Sequence, residues 1–250
     1  MTAVALITGA SAGLGVEFAR QLSRRGHRLV LAARRKDRLE ALGAELGNAR
    51  AVAIDLAERG SVARLLDDVA AAGEQVELLV NNAGFGLTGR FVRQDPGRLG
   101  QMIDVNIAAL TDLCRAVAAQ MADRRAGAIL NVASTAAFQP GPGMAVYFAT
   151  KAYVLSLTEA LHEELKPHGV KVSALCPGPT ATEFGEVAGF GKSLPAFVTA
   201  QAAPVVRAGL QGLDRNRAVV VPGLLNKLSA QGHRLLPRGP LRKIAGAIKF

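Results

Sequence analysis

Thr8-Gly9-Ala10-Ser11-Ala12-Gly13-Leu14-Gly15 is the stretch on which the fold turns. It follows a short apolar run, Ala3–Thr8, and leads at once into a helical pattern near residues 13–25. Glycines at a strand-to-helix turn let the backbone approach a pyrophosphate closely. The start of the helix adds free N–H groups and the positive end of its dipole. The spacing is GxxxGxG, not the commoner GxGxxG. By itself the turn therefore leaves two readings open, a phosphate cradle and a plain packing turn.

The pattern repeats outward from this turn. Strand-like runs at 28–33, 51–54, 78–80, 128–132, 171–176 and 218–221 join the first at 3–8. Helical patterns lie near 36–47, 59–73, 97–124 and 146–166. Runs such as Leu29-Val30-Leu31-Ala32-Ala33 are apolar throughout, so both of their faces are covered. Regular alternation of such strands with helices predicts an α/β, doubly wound parallel sheet. Ligands of such sheets bind beyond the carboxyl ends of the strands.

With 250 residues, 50% of them hydrophobic, the chain is long enough for one large domain and too apolar for disorder. Two cysteines exclude a disulfide framework and point to a reducing compartment, here the cytoplasm. No His/Cys spacing suggests a metal site. Cys114 and Cys176 read as buried thiols, and the four histidines, His27, His162, His168 and His233, read as surface residues. The amino terminus has no basic segment followed by a long apolar one, so no signal peptide is expected. Residues 126–150 carry no charge, but Asn131, Ser134, Gln139, Pro140 and Pro142 break any apolar span. Eight Lys or Arg and no acid lie between Arg215 and Phe250, so most of the net charge of +10 sits in the tail. That placement gives no support to specific nucleic-acid binding by the main domain.

The end of the second strand bears on the form of a dinucleotide. A carboxylate there would bind a ribose 2′-hydroxyl and repel a 2′-phosphate. The sequence instead reads Ala33-Arg34-Arg35-Lys36, with Asp37 as the first acid. This favours NADP(H) over NAD(H). Arg34, nearest the strand end, is the first candidate for the phosphate and Arg35 the second, because a guanidinium can pair with it bidentately. Asp55, after the third strand, is placed to reach the adenine edge.

Further along stand Asn81-Asn82-Ala83-Gly84, Asn106, Ser134, Tyr147-Phe148-Ala149-Thr150-Lys151 and Pro177-Gly178-Pro179-Thr180-Ala181-Thr182. Together with the glycine turn, and in this order, they resemble a classical short-chain dehydrogenase/reductase over about two-thirds of the chain. The resemblance implies a Rossmann-type, doubly wound parallel sheet in three α/β/α layers, as a single domain. It also implies a nicotinamide cofactor and a small carbonyl or alcohol substrate.

The side chains carry the corresponding chemistry. Tyr147 and Lys151 are four residues apart and share a helical face. An ammonium near a phenol is expected to lower its pKa, so that it exchanges a proton with the substrate oxygen. The Ser134 hydroxyl, after the fifth strand, would hydrogen-bond the same oxygen. The resemblance further implies that Lys151 binds the nicotinamide ribose and that Asn106 holds a relay water at a helix break. Thr180 and Thr182 would meet the carboxamide or phosphates. Asn82, Ala83 and Gly84 would line the cofactor, with Tyr147, Pro177 and Gly178 beside it. Gly9, Ser11, Gly13, Leu14 and Gly15 form the cradle.

Residues 183–204 are poorly periodic and read as a lid near the substrate. Candidate pocket walls are Phe85, Phe138, Pro140, Met144, Phe184 and Phe190, which suit a hydrophobic or neutral substrate. Residues 1–222 form the dinucleotide-binding and catalytic domain. Residues 223–250 form a basic amphipathic tail that either packs over the pocket or touches an anionic membrane surface. Assembly as a homodimer or homotetramer follows from the resemblance. A non-catalytic NADP-binding regulator on the same fold is the competing function. The complete Ser-Tyr-Lys set argues against it.

Overall fold

Seven strands alternate with nine helices in a computed structural model that describes residues 1–189 and 199–235, with the single positions 239, 240, 242 and 245. In chain order these are β1 (Thr2–Thr8), α1 (Gly13–Arg24), β2 (Leu29–Ala33), α2 (Lys36–Leu46), β3 (Ala49–Ala53), α3 (Ser61–Ala71) and β4 (Glu74–Asn81). Next come α4 (Pro96–Ile103), α5 (Leu110–Asp123), β5 (Gly127–Val132), α6 (Ala145–Leu165), β6 (Val170–Leu175), α7 (Phe184–Ala188), α8 (Ala202–Asp214), β7 (Val219–Val220) and α9 (Leu224–Leu235). All strand pairs are parallel, in the order β3-β2-β1-β4-β5-β6-β7. The order reverses between β1 and β4, so the crevice beyond their carboxyl ends is the switch point.

The pleat divides the core into two layers. Val4, Leu6, Val30, Ala32, Leu79 and Ile129 face α3, α5 and α6. Their neighbours Ala5, Ile7, Leu31, Val80 and Leu130 face α1, α2 and α8. This is the three-layer sandwich that strands apolar on both faces require. Each fully buried Leu or Phe, such as Phe18 of α1, contributes about 1.5–3 kcal/mol.

Two elements depart from the expectations. The helical pattern at 97–124 is divided into α4 and α5 by a π-helical turn at Asp104–Ala109. The expected lid at 183–204 contains α7, and its last residues open α8, a core helix that buries Val205, Val206, Leu210 and Leu213. Positions 190–198, and with them Phe190, lie outside the described residues. Gly209 and Gly212 weakened the helical signal of α8, yet they are what allow its close seat. A Cβ at Gly209 would come within 2.8 Å of Leu175, and one at Gly212 within 2.2 Å of Val220.

His162 is a correction to the surface assignment. It is buried on α6, with Nδ1 2.7 Å from the Val172 carbonyl oxygen. His27 is partly buried and pairs with Glu77. The side chain of His233 lies outside the described residues. In the tail, α9 runs straight through Gly232, although most of 236–250 lies outside the described residues. Leu224, Leu225 and Leu228 of α9 are exposed, whereas Ala230 is buried. Among the described residues no helix is long and apolar enough to cross a membrane.

Candidate active site

The glycine turn caps β1 and meets the end of β4. Thr8 Oγ1 accepts hydrogen bonds from the Asn82 and Ala83 N–H groups, both at 3.0 Å. The Asn82 amide donates to the carbonyl oxygens of Thr8 at 3.0 Å and Gly9 at 3.2 Å. Asn82 therefore braces the turn, a task not foreseen beside its expected place along the cofactor. A Cβ on Gly15 would fall 2.1 Å from the Gly9 carbonyl oxygen. The turn is thus wound too tightly for a side chain at Gly15 and leads directly into the N-terminus of α1, an arrangement that fits a pyrophosphate. Gly15→Ala should force the turn apart. The expected outcome is a loss of about 1–3 kcal/mol of stability with dinucleotide binding weakened by about tenfold or more, read by thermal unfolding and titration.

At the tip of β2 the two arginines separate. Arg34 is 68% exposed, with its guanidinium 4.0 Å from Asp55. Arg35 folds over the turn: its Nε donates to Ser11 Oγ at 3.2 Å, its Nη2 to the Ser11 carbonyl oxygen at 3.4 Å and its Nη1 to Glu183 at 2.9 Å. Asp55 also accepts a hydrogen bond from the Ala57 N–H group at 2.9 Å, closing a local turn.

Beyond β5, Ser134 caps a short 3₁₀ turn, accepting from the Ala136 N–H group at 3.1 Å. Its hydroxyl also acts on the Tyr147 phenol, favouring the ionised form. Lys151, one turn below Tyr147 on α6, donates from Nζ to the Val132 carbonyl oxygen at 2.8 Å, with Nζ 5.9 Å from the Tyr147 ring centroid. Ser134, Tyr147 and Lys151 therefore meet at the carboxyl ends of β5 and β6. The electrostatics do not follow the expectation. Burial pushes the Tyr147 phenol up to about 12, with the Ser134 hydrogen bond pulling the other way, and burial pulls the Lys151 ammonium down to about 8. Desolvation of both groups outweighs the lowering of the phenol expected from its neighbour.

Asn106 lies within the π-helical turn and is 1% exposed. Its Oδ1 accepts from the Phe85 N–H group at 3.1 Å. Its Nδ2 donates to the Phe85 carbonyl oxygen and to Thr150 Oγ1, both at 3.0 Å. These bonds fix the Gly84–Phe85 segment beside Lys151. A Cβ at Gly84 would lie 3.4 Å from Lys151 Nζ.

After β6, Thr180 donates to the Gly178 carbonyl oxygen at 3.0 Å, and Thr182 lies against Gly13. Pro177 receives the Ser134 hydroxyl on its carbonyl oxygen at 3.5 Å. Asn226 of α9 abuts Gly178, so the start of the tail packs at the rim of the site.

Around Tyr147 an apolar cluster gathers Met102, Met144, Phe148 and Ala188, with Phe85 and Phe184 packed on it. Phe184 lies 5.3 Å from Tyr147, centroid to centroid. Phe138 packs instead toward the core between the sheet and α3, α5 and α6. Cys114 and Cys176 are buried thiols, pushed up to about 11 and about 12 by desolvation. No cluster of His, Cys, Asp or Glu suited to a metal occurs among the described residues.

A short-chain dehydrogenase family model matches residues 3–189. The NADP-dependent 3-hydroxy acid dehydrogenase of Salmonella typhi is 35% identical over 192 residues, 74% of this chain and 75% of that protein. A short-chain dehydrogenase from Sphingobium yanoikuyae, solved in complex with NADPH, is 36% identical with a TM-score of 0.84, covering 100% of this chain and 97% of that one. The bulky-bulky ketone specific alcohol dehydrogenase from Comamonas testosteroni is 34% identical with a TM-score of 0.79, covering 94% and 93%. With the matched motifs lying on one parallel sheet, the chain belongs to the short-chain dehydrogenase/reductase family of oxidoreductases.

Proposed function

We propose that this oxidoreductase uses NADP(H) to interconvert a hydrophobic or neutral carbonyl compound and its alcohol, with Tyr147 exchanging the proton. The observation that carries the reading is the meeting of Tyr147, Ser134 and Lys151 at the same sheet edge, the carboxyl ends of the strands, as the Gly9–Gly15 turn that follows β1. Hydride is what the nicotinamide supplies or accepts when bound. The glycine turn would hold the pyrophosphate and Arg34 and Arg35 the 2′-phosphate. Asp55 would hold the adenine edge. Asn82, Ala83, Gly84, Pro177, Gly178, Thr180 and Thr182 would line the rest. Lys151 would grip the ribose and Asn106 support the proton path.

In the reducing direction the phenol gives its proton to the substrate oxygen, while the Ser134 hydroxyl donates to that oxygen as charge grows on it. Phe85, Met144 and Phe184 carry no charge themselves, which matches an apolar substrate. The NADPH complex of the Sphingobium relative and the bulky ketones of the Comamonas relative support both halves of the reading. A cytoplasmic dimer or tetramer goes with it. The tail from Gly223 onward would serve as a cover at the rim of the site, or as a basic contact for an anionic membrane.

Oxidation of NADPH and NADH with a panel of ketones and aldehydes tests this function. Turnover with NADPH and an apolar ketone is expected, whereas no turnover with any carbonyl compound would favour the regulator. Arg34→Ala and Arg35→Ala should each weaken NADPH about tenfold to hundredfold and leave NADH within about twofold. An NADH preference in the native protein would overturn the arginine assignment.

A further inference from the structure

The carboxylate of Glu183 lies between two arginines that the turn and α2 present. Arg35 donates to it at 2.9 Å and Arg38 at 2.5 Å. Arg35 is the same side chain that donates to Ser11 of the glycine turn. Among the described residues no other carboxylate pairs with Arg35 or Arg38. The carboxyl is held below the usual glutamate range, first by Arg38 and then by Arg35. Glu183 therefore stays charged at neutral pH and bridges the segment after β6 to the start of α2.

Its chain neighbour points to the other half of the site. Phe184 opens α7 and lies 5.3 Å from the Tyr147 ring. Two consecutive residues thus touch the two ends of the cleft: Glu183 the arginines at the tip of β2, Phe184 the phenol.

A 2′-phosphate carries up to two negative charges and needs guanidinium partners at this same tip. A carboxylate already held by those guanidiniums competes with it, by sharing their hydrogen bonds and by like-charge repulsion. We infer that Glu183 is a specificity-determining and positioning residue, which competes with the 2′-phosphate of NADP(H) for Arg35 and Arg38 and holds Phe184 against the substrate site. The inference rests on the NADP(H) reading above. It gives Arg38 a place in phosphate recognition that the sequence did not single out.

The test measures binding of 2′,5′-ADP and 5′-AMP, which differ by the 2′-phosphate and carry no nicotinamide. Glu183→Gln should tighten 2′,5′-ADP about fivefold, as expected for removing partly exposed competing ion pairs, and leave 5′-AMP unchanged. The same variant should raise KM for a ketone with little change in kcat, because α7 loses its tie to α2. In a chain that also carries Arg35→Ala and Arg38→Ala, the gain in 2′,5′-ADP affinity should vanish. An unchanged ratio of the two nucleotides in Glu183→Gln, or persistence of the gain without the arginines, overturns the inference alone. Native protein that binds 2′,5′-ADP no better than 5′-AMP overturns the NADP(H) reading and this inference with it.

Discussion

Tyr147→Phe is expected to lower turnover by about 10²–10⁴-fold while NADPH binds within about twofold of the native protein. The substitution removes one oxygen and keeps the ring. The ring packs edge-on to Phe148, with centroids 6.1 Å apart, and against Phe184, so the apolar cluster that orders the site survives. Ser134 keeps its bond from the Ala136 N–H group and its reach to Pro177, so the loop that carries it has no reason to move. What is lost is the phenol hydroxyl, the proposed proton donor to the substrate oxygen. Lys151 does not replace it, because its ammonium is turned to the Val132 carbonyl oxygen. Measuring kcat with an apolar ketone, beside NADPH binding by fluorescence, separates chemistry from recognition. A variant that keeps native turnover would show that another group moves the proton.

The parts that sequence made legible are those where one short stretch holds the whole signal. Leu29–Ala33 announces a doubly covered strand because every residue is apolar, and it is buried throughout. Tyr147 and Lys151 announce a shared helical face by spacing alone. The rest depends on residues far apart in the chain. Glu183 stands beside Thr182 and three residues before a second acid, Glu186, and nothing local says that it meets arginines about 150 positions earlier. Asn82 looked like a lining residue, and its hold on Thr8 and Gly9 appears only once β1 and β4 are neighbours. His162 was misplaced because its carbonyl partner belongs to β6. The direction of the Tyr147 shift is not legible in the sequence for a related reason. Proximity of charge can be read from spacing, but depth of burial is a property of the assembled layers.

That depth governs the second large effect, the response of reduction to pH. Tyr147, pushed up to about 12, keeps its proton across the working range and stays competent as an acid. Lys151 is different, since desolvation has pulled it down to about 8. In the proposed reaction the charged form, present below that pH, would stabilise the negative charge left on the phenol as the proton departs. Above it the amine is neutral and that help disappears. Reduction should therefore fall as pH rises through about 8, by up to about tenfold for each further pH unit. Oxidation, which needs the phenol to accept a proton, should not share this falling limb. Lys151→Arg distinguishes the source, because a guanidinium holds its charge beyond pH 12. In that variant the limb should move up by about two pH units or more, whatever happens to the maximal rate. A limb that stays near 8 would assign the titration to a group other than Lys151 and remove the ammonium from the account of proton transfer.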